Sequence, residues 1–362
     1  MKTDDGTKPM DTNWDQEVEE AFQILVRNAT EEFGFSPSDV YGGIFDPYTT
    51  KRRHADALRH LDYLELEDLL RSFSRDRRLS NPLHHIVALH PSRAEMGRSD
   101  IWDIKPKSTR IAKGIVERMQ SQEEGRLREM YGNFHRFAEG SALAGLVFKA
   151  IVHRIFFNGW RFGPPMPQRV LMAQSNNPPL FSVDPSSLST IPGTQMLPPP
   201  LCANARTTIR VDFTTKALVP NVTLQNDVYY IPAARHCPLF DSFTIDADKF
   251  KSTARISIFH ISISPTHQGS TDSYHLIHEI MNRVRELLKA EIPDEEIRDK
   301  TEVEIEVVYF LVCPEDEYNC TWQMPAGWDR DTTDNEHRGN VYLLRIPTLK
   351  SMVCCIYPPL TL

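Results

Sequence analysis

Apolar residues in the first third of the chain recur at helical spacing. Over residues 15–33, Val18, Phe22 and Leu25 fall on one face of a helix that Gly34 is suited to end. The same periodicity predicts further helices over residues 36–46, 51–73, 109–119 and from 123 onwards, with Ser108 as the cap of the fourth. Only residues 82–90 read as an extended segment among them. These helices are amphipathic, so each needs the others to bury its apolar face.

Near Gly132 and Gly159 the pattern changes from helical to strand periodicity. One apolar helix is predicted over residues 141–157 and an amphipathic one over 272–289. Short runs of β-branched and aromatic residues predict strands over residues 169–173, 209–213, 226–232, 240–243, 256–264, 303–312 and 340–346. The sequence therefore predicts an α+β protein, in which a helical region precedes a mixed sheet flanked by helices.

The run over residues 256–264 carries the clearest strand pattern. It alternates isoleucines with small polar residues, but the alternation changes phase at Phe259 and His260. Because side chains in a strand alternate strictly between two faces, this change of phase predicts one irregular position in the strand.

Composition shifts divide the chain into three parts. Residues 1–13 are polar with little to bury and are expected to be a disordered tail. Residues 14–131 form a helical adaptor region, and residues 132–362 form the mixed domain. Within the latter, residues 174–206 are rich in Pro, Ser and Asn and are expected to be a surface insertion.

The overall composition is that of a globular protein. Among 362 residues, 40% are hydrophobic and 25% charged, and the formal charge of −8 is spread along the chain, which argues against a broad basic face for nucleic acid. The six cysteines have no metal-binding spacing, the amino terminus lacks the pattern of a signal peptide, and no run approaches the roughly 20 apolar residues of a membrane span. We expect an intracellular protein of the cytoplasm or nucleus, with no membrane association.

Candidate chemistry lies along the strands at 240–264. Asp241 follows an aromatic strand, His260 and Ser262 are two apart on the next, and His267 follows in a loop. A carboxylate and an imidazole, Asp241 and His260, would serve as ligands for a divalent metal, and Ser262 would hydrogen-bond a water. Each of these residues also has a purely structural interpretation as a hydrogen-bonded strand or turn residue.

The sequence lacks the motifs for P-loop nucleotide binding and for a serine nucleophile. No glycine-rich loop with a following Lys-Ser or Lys-Thr pair is present, so no nucleotide is expected to bind as in P-loop proteins. No G-x-S-x-G elbow is present for a serine nucleophile.

The order helix, Asp strand, polar strand, helix and strand is similar to that of restriction-endonuclease-like, or PD-(D/E)XK, folds. More narrowly, residues 134–350 resemble the carboxy-terminal domain of fungal Crinkler and retrotransposon-hot-spot (RHS) proteins. The resemblance rests on short motifs: Ala144-Gly145-Leu146-Val147-Phe148 with His153, Tyr230-Ile231-Pro232, Phe240-Asp241-Ser242, Ile258-Phe259-His260-Ile261-Ser262 and His267. It implies a nuclease fold in which a helical Glu, a strand Asp and a Glu/Gln-x-Lys pair on the next strand hold a divalent metal such as Mg²⁺.

Departures from that pattern leave two functions open. Lys149 stands where the helical Glu is expected, and His260-Ile261-Ser262 stands where Gln-x-Thr or Gln-x-Lys is expected, so only Asp241 is unchanged. One expectation is a degraded nuclease domain that binds nucleic acid or protein with weak or no catalysis, a protein partner being bound through the helical amino-terminal region. The alternative is an active Mg²⁺-dependent DNA endonuclease that uses Asp241 and His260.

Overall fold

The computed structural model describes most of the predicted elements. It covers residues 13–61, 83–91, 102–122, 124–136, 141–159, 168–175, 180–183, 206–211, 223–232, 240–248, 250–264, 266–268, 274–290, 292, 298, 301–315, 320–324 and 339–347. The chain divides into two compact units, one of residues 1–121 and 133–146, the other of residues 122–132 and 147–362. The predicted tail at 1–13 lies outside the described residues apart from Asn13.

The first unit is mainly helical. Its elements are α1 (Asn13–Phe33), α2 (Pro37–Phe45), α3 (Pro47–His60), a single 3-10 turn (Leu83–His85), β1 (Val87–Pro91), β2 (Trp102–Pro106) and α4 (Thr109–Gln120), with β1 and β2 antiparallel. The cap predicted for α4 is confirmed, since Ser108 Oγ accepts a hydrogen bond from the Ile111 N–H at 3.2 Å. The helix predicted over 51–73 begins at Pro47 and ends at His60, and residues 62–73 lie outside the described residues.

A buried ion cluster ties this unit together across 68 residues of sequence. Asp39 accepts hydrogen bonds from Ser36, which caps α2, and from Lys107 Nζ at 2.7 Å, and His54 Nε2 lies 3.7 Å from the same carboxylate. Burial alone would raise the pKa of Asp39, but the close approach of His54, the hydrogen bonds from Lys107 and Ser36 and the charge of Lys107 hold it far below its usual range. The carboxylate is therefore ionised and paired within the unit.

The second unit is built on a mixed seven-stranded sheet. Helices α5 (Glu124–His135) and α6 (Ser141–Asn158) contribute residues 124–132 and 147–158 to this unit, and α7 (Tyr274–Ala290) lies wholly within it. The sheet has the order β3 (Gln168–Leu171), β13 (Asn340–Ile346), β11 (Glu304–Pro314), β9 (Thr253–Ile261), β8 (Ser242–Asp248), β7 (Val228–Pro232), β6 (Thr207–Val211). Strands β7, β8 and β9 are antiparallel neighbours, whereas β9, β11 and β13 run parallel. The α+β prediction is confirmed.

A smaller sheet uses part of the predicted insertion. It has the order β10 (Thr266–Gln268), β12 (Thr321–Gln323), β5 (Leu180–Ser182), β4 (Ala173–Ser175). Strands β4 and β5 form an antiparallel pair at the start of the segment expected to be a surface insertion. The insertion is thus partly regular structure, and its residues 184–205 lie outside the described residues.

Both faces of the large sheet are covered, and this explains the phase change in β9. Every residue from Thr253 to Ile261 pairs one-to-one with β11, so the predicted irregular position is wrong. Ile256 and Ile258 face the core that contains α7, whereas Phe259 packs on the other face against Phe156 of α6, with ring centroids 4.5 Å apart. Because apolar side chains are required on both faces, the strand loses simple alternation without a bulge.

Helix α6 is strongly apolar. Of the helices among the described residues, α6 is the one long and apolar enough to cross a membrane, with 18 residues and a mean hydropathy of 1.2. Of these residues 56% are buried inside the protein, and its Phe148 and Phe156 rings contact aromatic neighbours in the second unit. The structure indicates a core helix and gives no indication of a membrane protein.

Candidate functional site

Asp241 lies at the residue before β8, and the sheet fixes its position. Its backbone N–H donates to the carbonyl of Phe259 in β9 at 2.7 Å. The same two strands continue the pairing from Ser242 opposite Phe259. The carboxylate is therefore held at the end of the antiparallel pair, close to the backbone of β9.

Two donors occupy the two oxygens of this carboxylate. Lys149, from α6, donates from Nζ to Oδ1 at 2.6 Å, and the backbone N–H of Ile261 donates to Oδ2 at 2.7 Å. The side chains of Lys149 and Asp241 are 32% and 17% exposed, so this ion pair is largely screened from water. Charge-assisted hydrogen bonds at such distances are among the strong polar contacts in proteins.

His260 forms the third side of the site. Its Nδ1 lies 3.6 Å from Asp241 Oδ2, and its ring stacks on Trp322 with centroids 5.6 Å apart and planes at 22°. The imidazole is thus held between the carboxylate and an indole. The structure brings Asp241 and His260 together as the sequence predicted, and Lys149 of α6 contacts the same carboxylate.

The electrostatics of Asp241 follow from these contacts. Burial favours the neutral acid and pushes the pKa of Asp241 upward, but the charges of Lys149 and His260 and the hydrogen bonds from Lys149 and Ile261 outweigh it, so the pKa lies below its usual value. The site therefore contains an ionised carboxylate whose charge is already compensated by an ammonium.

A second, buried chain of hydrogen bonds runs beside the ion pair. His153, one turn after Lys149 on α6, has Nδ1 2.7 Å from the Tyr229 hydroxyl, which donates to Ser242 Oγ at 2.7 Å. Burial lowers the pKa of His153 to about 4; the charge of Asp241 opposes this shift and that of Lys149 adds to it. The imidazole is consequently neutral near pH 7, and since Tyr229 donates to Ser242, Nδ1 of His153 is the donor to the phenol oxygen.

The other two predicted site residues have different environments. Ser262 follows β9; its N–H donates to the Val312 carbonyl at 3.0 Å and its Oγ accepts from the Ser264 N–H at 3.1 Å. These contacts hold Ser262 in a local turn and do not direct its hydroxyl to the carboxylate. His267 lies in β10 opposite Trp322 in register, and its side chain is outside the described part of the structure.

The predicted Mg²⁺ site does not fit this arrangement. Both oxygens of Asp241 accept protein hydrogen bonds, and the nearest charged neighbour at Oδ1 is the ammonium of Lys149. Within the residues that the structure describes, no group of three or more His, Cys, Asp or Glu side chains is placed to hold a metal ion. A hard divalent cation prefers several oxygen ligands and is repelled by an adjacent ammonium.

Sequence reasoning missed Tyr229 and Trp322 as parts of the site. Tyr229 sits in an aromatic strand whose neighbour Tyr230 faces the opposite way, so the pattern marks both as buried without showing which one reaches α6. Trp322 belongs to a three-residue strand, β12, too short to produce a periodic signal. Lys149 was identified only by its departure from the resembled motif.

Comparison with protein-family models, curated proteins and solved structures finds no significant match. The fold and the site define an α+β protein with a cluster of Lys149, Asp241 and His260 at one end of a mixed sheet, in which the carboxylate charge is compensated by the ammonium.

Proposed function

We propose that the unit of residues 122–132 and 147–362 is a degenerate restriction-endonuclease-like domain of the Crinkler or RHS type, which acts as a binding module with weak or no catalysis. The observation that carries this proposal is the 2.6 Å contact between Lys149 Nζ and Asp241 Oδ1. The Lys149 ammonium lies at the Asp241 oxygen to which a metal ion would have to bind. Asp241 is then a structural residue of the module.

The order of elements supports the proposed ancestry. Helix α6 precedes three antiparallel strands, β7, β8 and β9, and α7 then connects β9 to the parallel strand β11. The residue that would be the strand Asp, Asp241, directly precedes β8, and the residue that would be the helical Glu, Lys149, contacts it from α6. In the nucleases that this unit resembles, the helical Glu and the strand Asp occupy the same relative positions.

Electrostatics explain why catalysis would be lost. At an effective dielectric of about 20, two unit charges 4 Å apart interact by about 4 kcal/mol, so an ammonium beside the site opposes Mg²⁺ strongly. A second carboxylate on α6 would instead add to the attraction. Ser262 cannot replace a lysine that stabilises the charge of the transition state, because its hydroxyl is neutral and is used in a turn.

The test compares four proteins on plasmid and single-stranded DNA, each with Mg²⁺ and with Mn²⁺. They are the wild type, Asp241→Ala, Lys149→Glu with His260→Gln, and the matched control Lys251→Glu. Lys251 is an exposed lysine of the same unit, with 75% of its side chain accessible, so it controls for the charge change alone. We expect no cleavage by the wild type, by Asp241→Ala or by the control, and metal-dependent cleavage by the double variant.

Direct metal titration separates loss of binding from loss of chemistry. Calorimetry with Mn²⁺ should show a site in the double variant that the wild type lacks, because the substitution changes the local charge by two units. If the wild type cleaves DNA and Asp241→Ala abolishes that cleavage, the degenerate-domain proposal is wrong. In that case Asp241 and His260 act as metal ligands in an active endonuclease, which is the alternative function.

A further inference from the structure

The three most exposed aromatic rings among the described residues of the first unit lie close together in sequence on α2 and α3. Tyr41 and Phe45 on α2 are 67% and 65% accessible, and Tyr48 at the start of α3 is 76% accessible. Tyr41 and Phe45 are four residues apart and pack on one another, with ring centroids 4.5 Å apart. Contiguous exposed apolar surface often marks an interaction site.

Helix α3 adds a local excess of positive charge beside these rings. Its 14 residues contain four basic side chains, Lys51, Arg52, Arg53 and Arg59, and one carboxylate, Asp56, which gives a formal charge of +3. The whole protein carries −8, so this helix departs from the average sign of the surface. Arg52 lies four residues after Tyr48, on the same face of the helix.

The neighbouring carboxylates leave part of this charge uncompensated. Asp56 is shared, with Arg52 Nε at 3.9 Å and Arg59 Nη1 at 3.2 Å, and Lys51 lies 3.0 Å from Glu32. Arg52 nevertheless keeps 73% of its side chain accessible, and Arg53 is also exposed. Asp46, between Phe45 and α3, caps α3 by accepting from the Thr49 N–H at 3.2 Å. Its pKa is lowered by the hydrogen bonds with Thr49 and by the charge of Arg53, so Arg53 is partly compensated, whereas Asp56 alone is shared by two arginines.

We propose that this α2–α3 surface, made of Tyr41, Phe45, Tyr48, Arg52 and Arg53, binds single-stranded nucleic acid. The rings offer faces on which bases stack, and the two arginines contact the phosphates. Base stacking on aromatic rings tolerates any sequence, so the surface is expected to bind strands with little sequence preference. This inference is independent of the Lys149–Asp241 site, because its residues all belong to α2 and α3.

The chemistry favours nucleic acid over two other occupants. A second copy of the chain placed face to face would bring the arginines of both copies together, which costs energy. An anionic membrane would satisfy the arginines, but interfacial helices bury a continuous apolar face, whereas α3 is strongly polar apart from Tyr48. Exposed aromatic rings next to exposed guanidinium groups match unpaired bases on a phosphate backbone.

The test is fluorescence anisotropy of a labelled 20-nucleotide oligo(dT) and an oligo(U) of equal length, titrated with the full chain at several salt concentrations. The variants are Tyr41→Ala with Tyr48→Ala, and Arg52→Ala with Arg53→Ala. The matched control is Phe250→Ala with Lys251→Ala, which removes a fully exposed ring and an exposed cation from the other unit. Circular dichroism verifies that each variant keeps its helix content, as expected for exposed positions.

We expect the aromatic variant to bind at least about tenfold more weakly at every salt concentration, since one stacked base alone is worth about that factor. The arginine variant should bind more weakly mainly at low salt, and its slope of log affinity against log salt should fall in magnitude by about 1.4. The control should bind as the wild type does. Equal affinity of the wild type and both surface variants, or preferential binding to phosphatidylserine vesicles over oligo(dT), would overturn the proposal.

Failure of the oligonucleotide-binding proposal can be distinguished from failure of the proposed nuclease ancestry. Loss of oligonucleotide binding in the α2–α3 variants reports on the first unit, whereas metal-dependent cleavage by the Lys149→Glu, His260→Gln variant reports on the second. Either outcome leaves the other measurement interpretable.

Discussion

Acidification should destabilise the second unit through a single buried imidazole, that of His153. This side chain is 6% exposed, lies between Lys149 and Tyr229, and has its pKa lowered by burial to about 4. In an unfolded chain a histidine titrates near 6.5. Between these two values the unfolded state carries the proton and the folded state does not.

The sign and size of the effect follow from this difference. Because the unfolded state binds more protons in this interval, stability falls as the pH is lowered from about 6.5 to about 4, and the contribution is fully present above that interval. One pKa unit corresponds to 1.36 kcal/mol, so lowering the pH from about 7 to about 4 should cost the fold about 3 kcal/mol through His153 alone. That is a large part of the stability of an ordinary domain.

The measurement is urea unfolding between about pH 4 and pH 7, read by hydrogen exchange of the β8 and β9 amides so that only the second unit is followed. The comparison is His153→Gln, which keeps a polar side chain in contact with Tyr229 but cannot titrate. His84 and His85 of the first unit also have pKa values lowered by burial, so a probe of the second unit alone is needed.

We expect the wild type to lose about 3 kcal/mol more than His153→Gln over this range. The variant should be less stable than the wild type near pH 7, because it replaces a well-packed ring, and the two curves should converge at acid pH. Parallel curves across the range would refute the assignment of a neutral buried imidazole, as would an NMR titration of the His153 ring with a midpoint near 6.5.

Three further predictions concern stability and ligand binding. Asp39→Asn should destabilise the first unit by about 3 kcal/mol in thermal unfolding, because it leaves the buried Lys107 ammonium uncompensated. Asp56→Asn, at an exposed ion pair, should cost under about 0.5 kcal/mol. Equal effects of the two substitutions would contradict the role of the buried cluster. Gly339→Ala should lower the free energy of unfolding by about 2 kcal/mol or more, since the new Cβ would lie 2.0 Å from the Val307 carbonyl oxygen. Gly125→Ala, with open space around it, should not lower it. A Gly339→Ala variant as stable as the wild type would show that the β11 and β13 backbones do not approach so closely. Calorimetric titration with Mg-ATP should show no specific binding, because the phosphate-binding loop is lacking from the sequence, and a stoichiometric micromolar isotherm would contradict this expectation.

Much of the secondary structure could be read from the sequence, because it depends on local geometry. Helix α7 was predicted over residues 272–289 and spans Tyr274–Ala290, and its apolar side chains at helical spacing are the ones that enter the core. Strand β13 was predicted over residues 340–346 and has those bounds. In each case the period of apolar residues and the flanking turn residues carry the information within one short segment.

The resemblance to nuclease folds also placed Asp241 and His260 at one site, and the structure brings the two side chains within 3.6 Å. The sequence did not show what fills the space between them. Lys149 reaches the carboxylate across 92 residues, and only the packing of α6 on the sheet decides that its ammonium, rather than solvent or a metal, meets Oδ1.

The tertiary structure likewise decided features that depend on two partners at once. The phase change in β9 looked like a bulge, but it reflects burial of both faces, by α7 on one side and α6 on the other. Strands β4, β5, β10 and β12 have three residues each, too few for a periodic pattern, and form only because their partners complete the hydrogen bonds. A pattern within one segment specifies its own backbone and its apolar face, whereas the pairing of charges and short strands is set by segments distant in the chain.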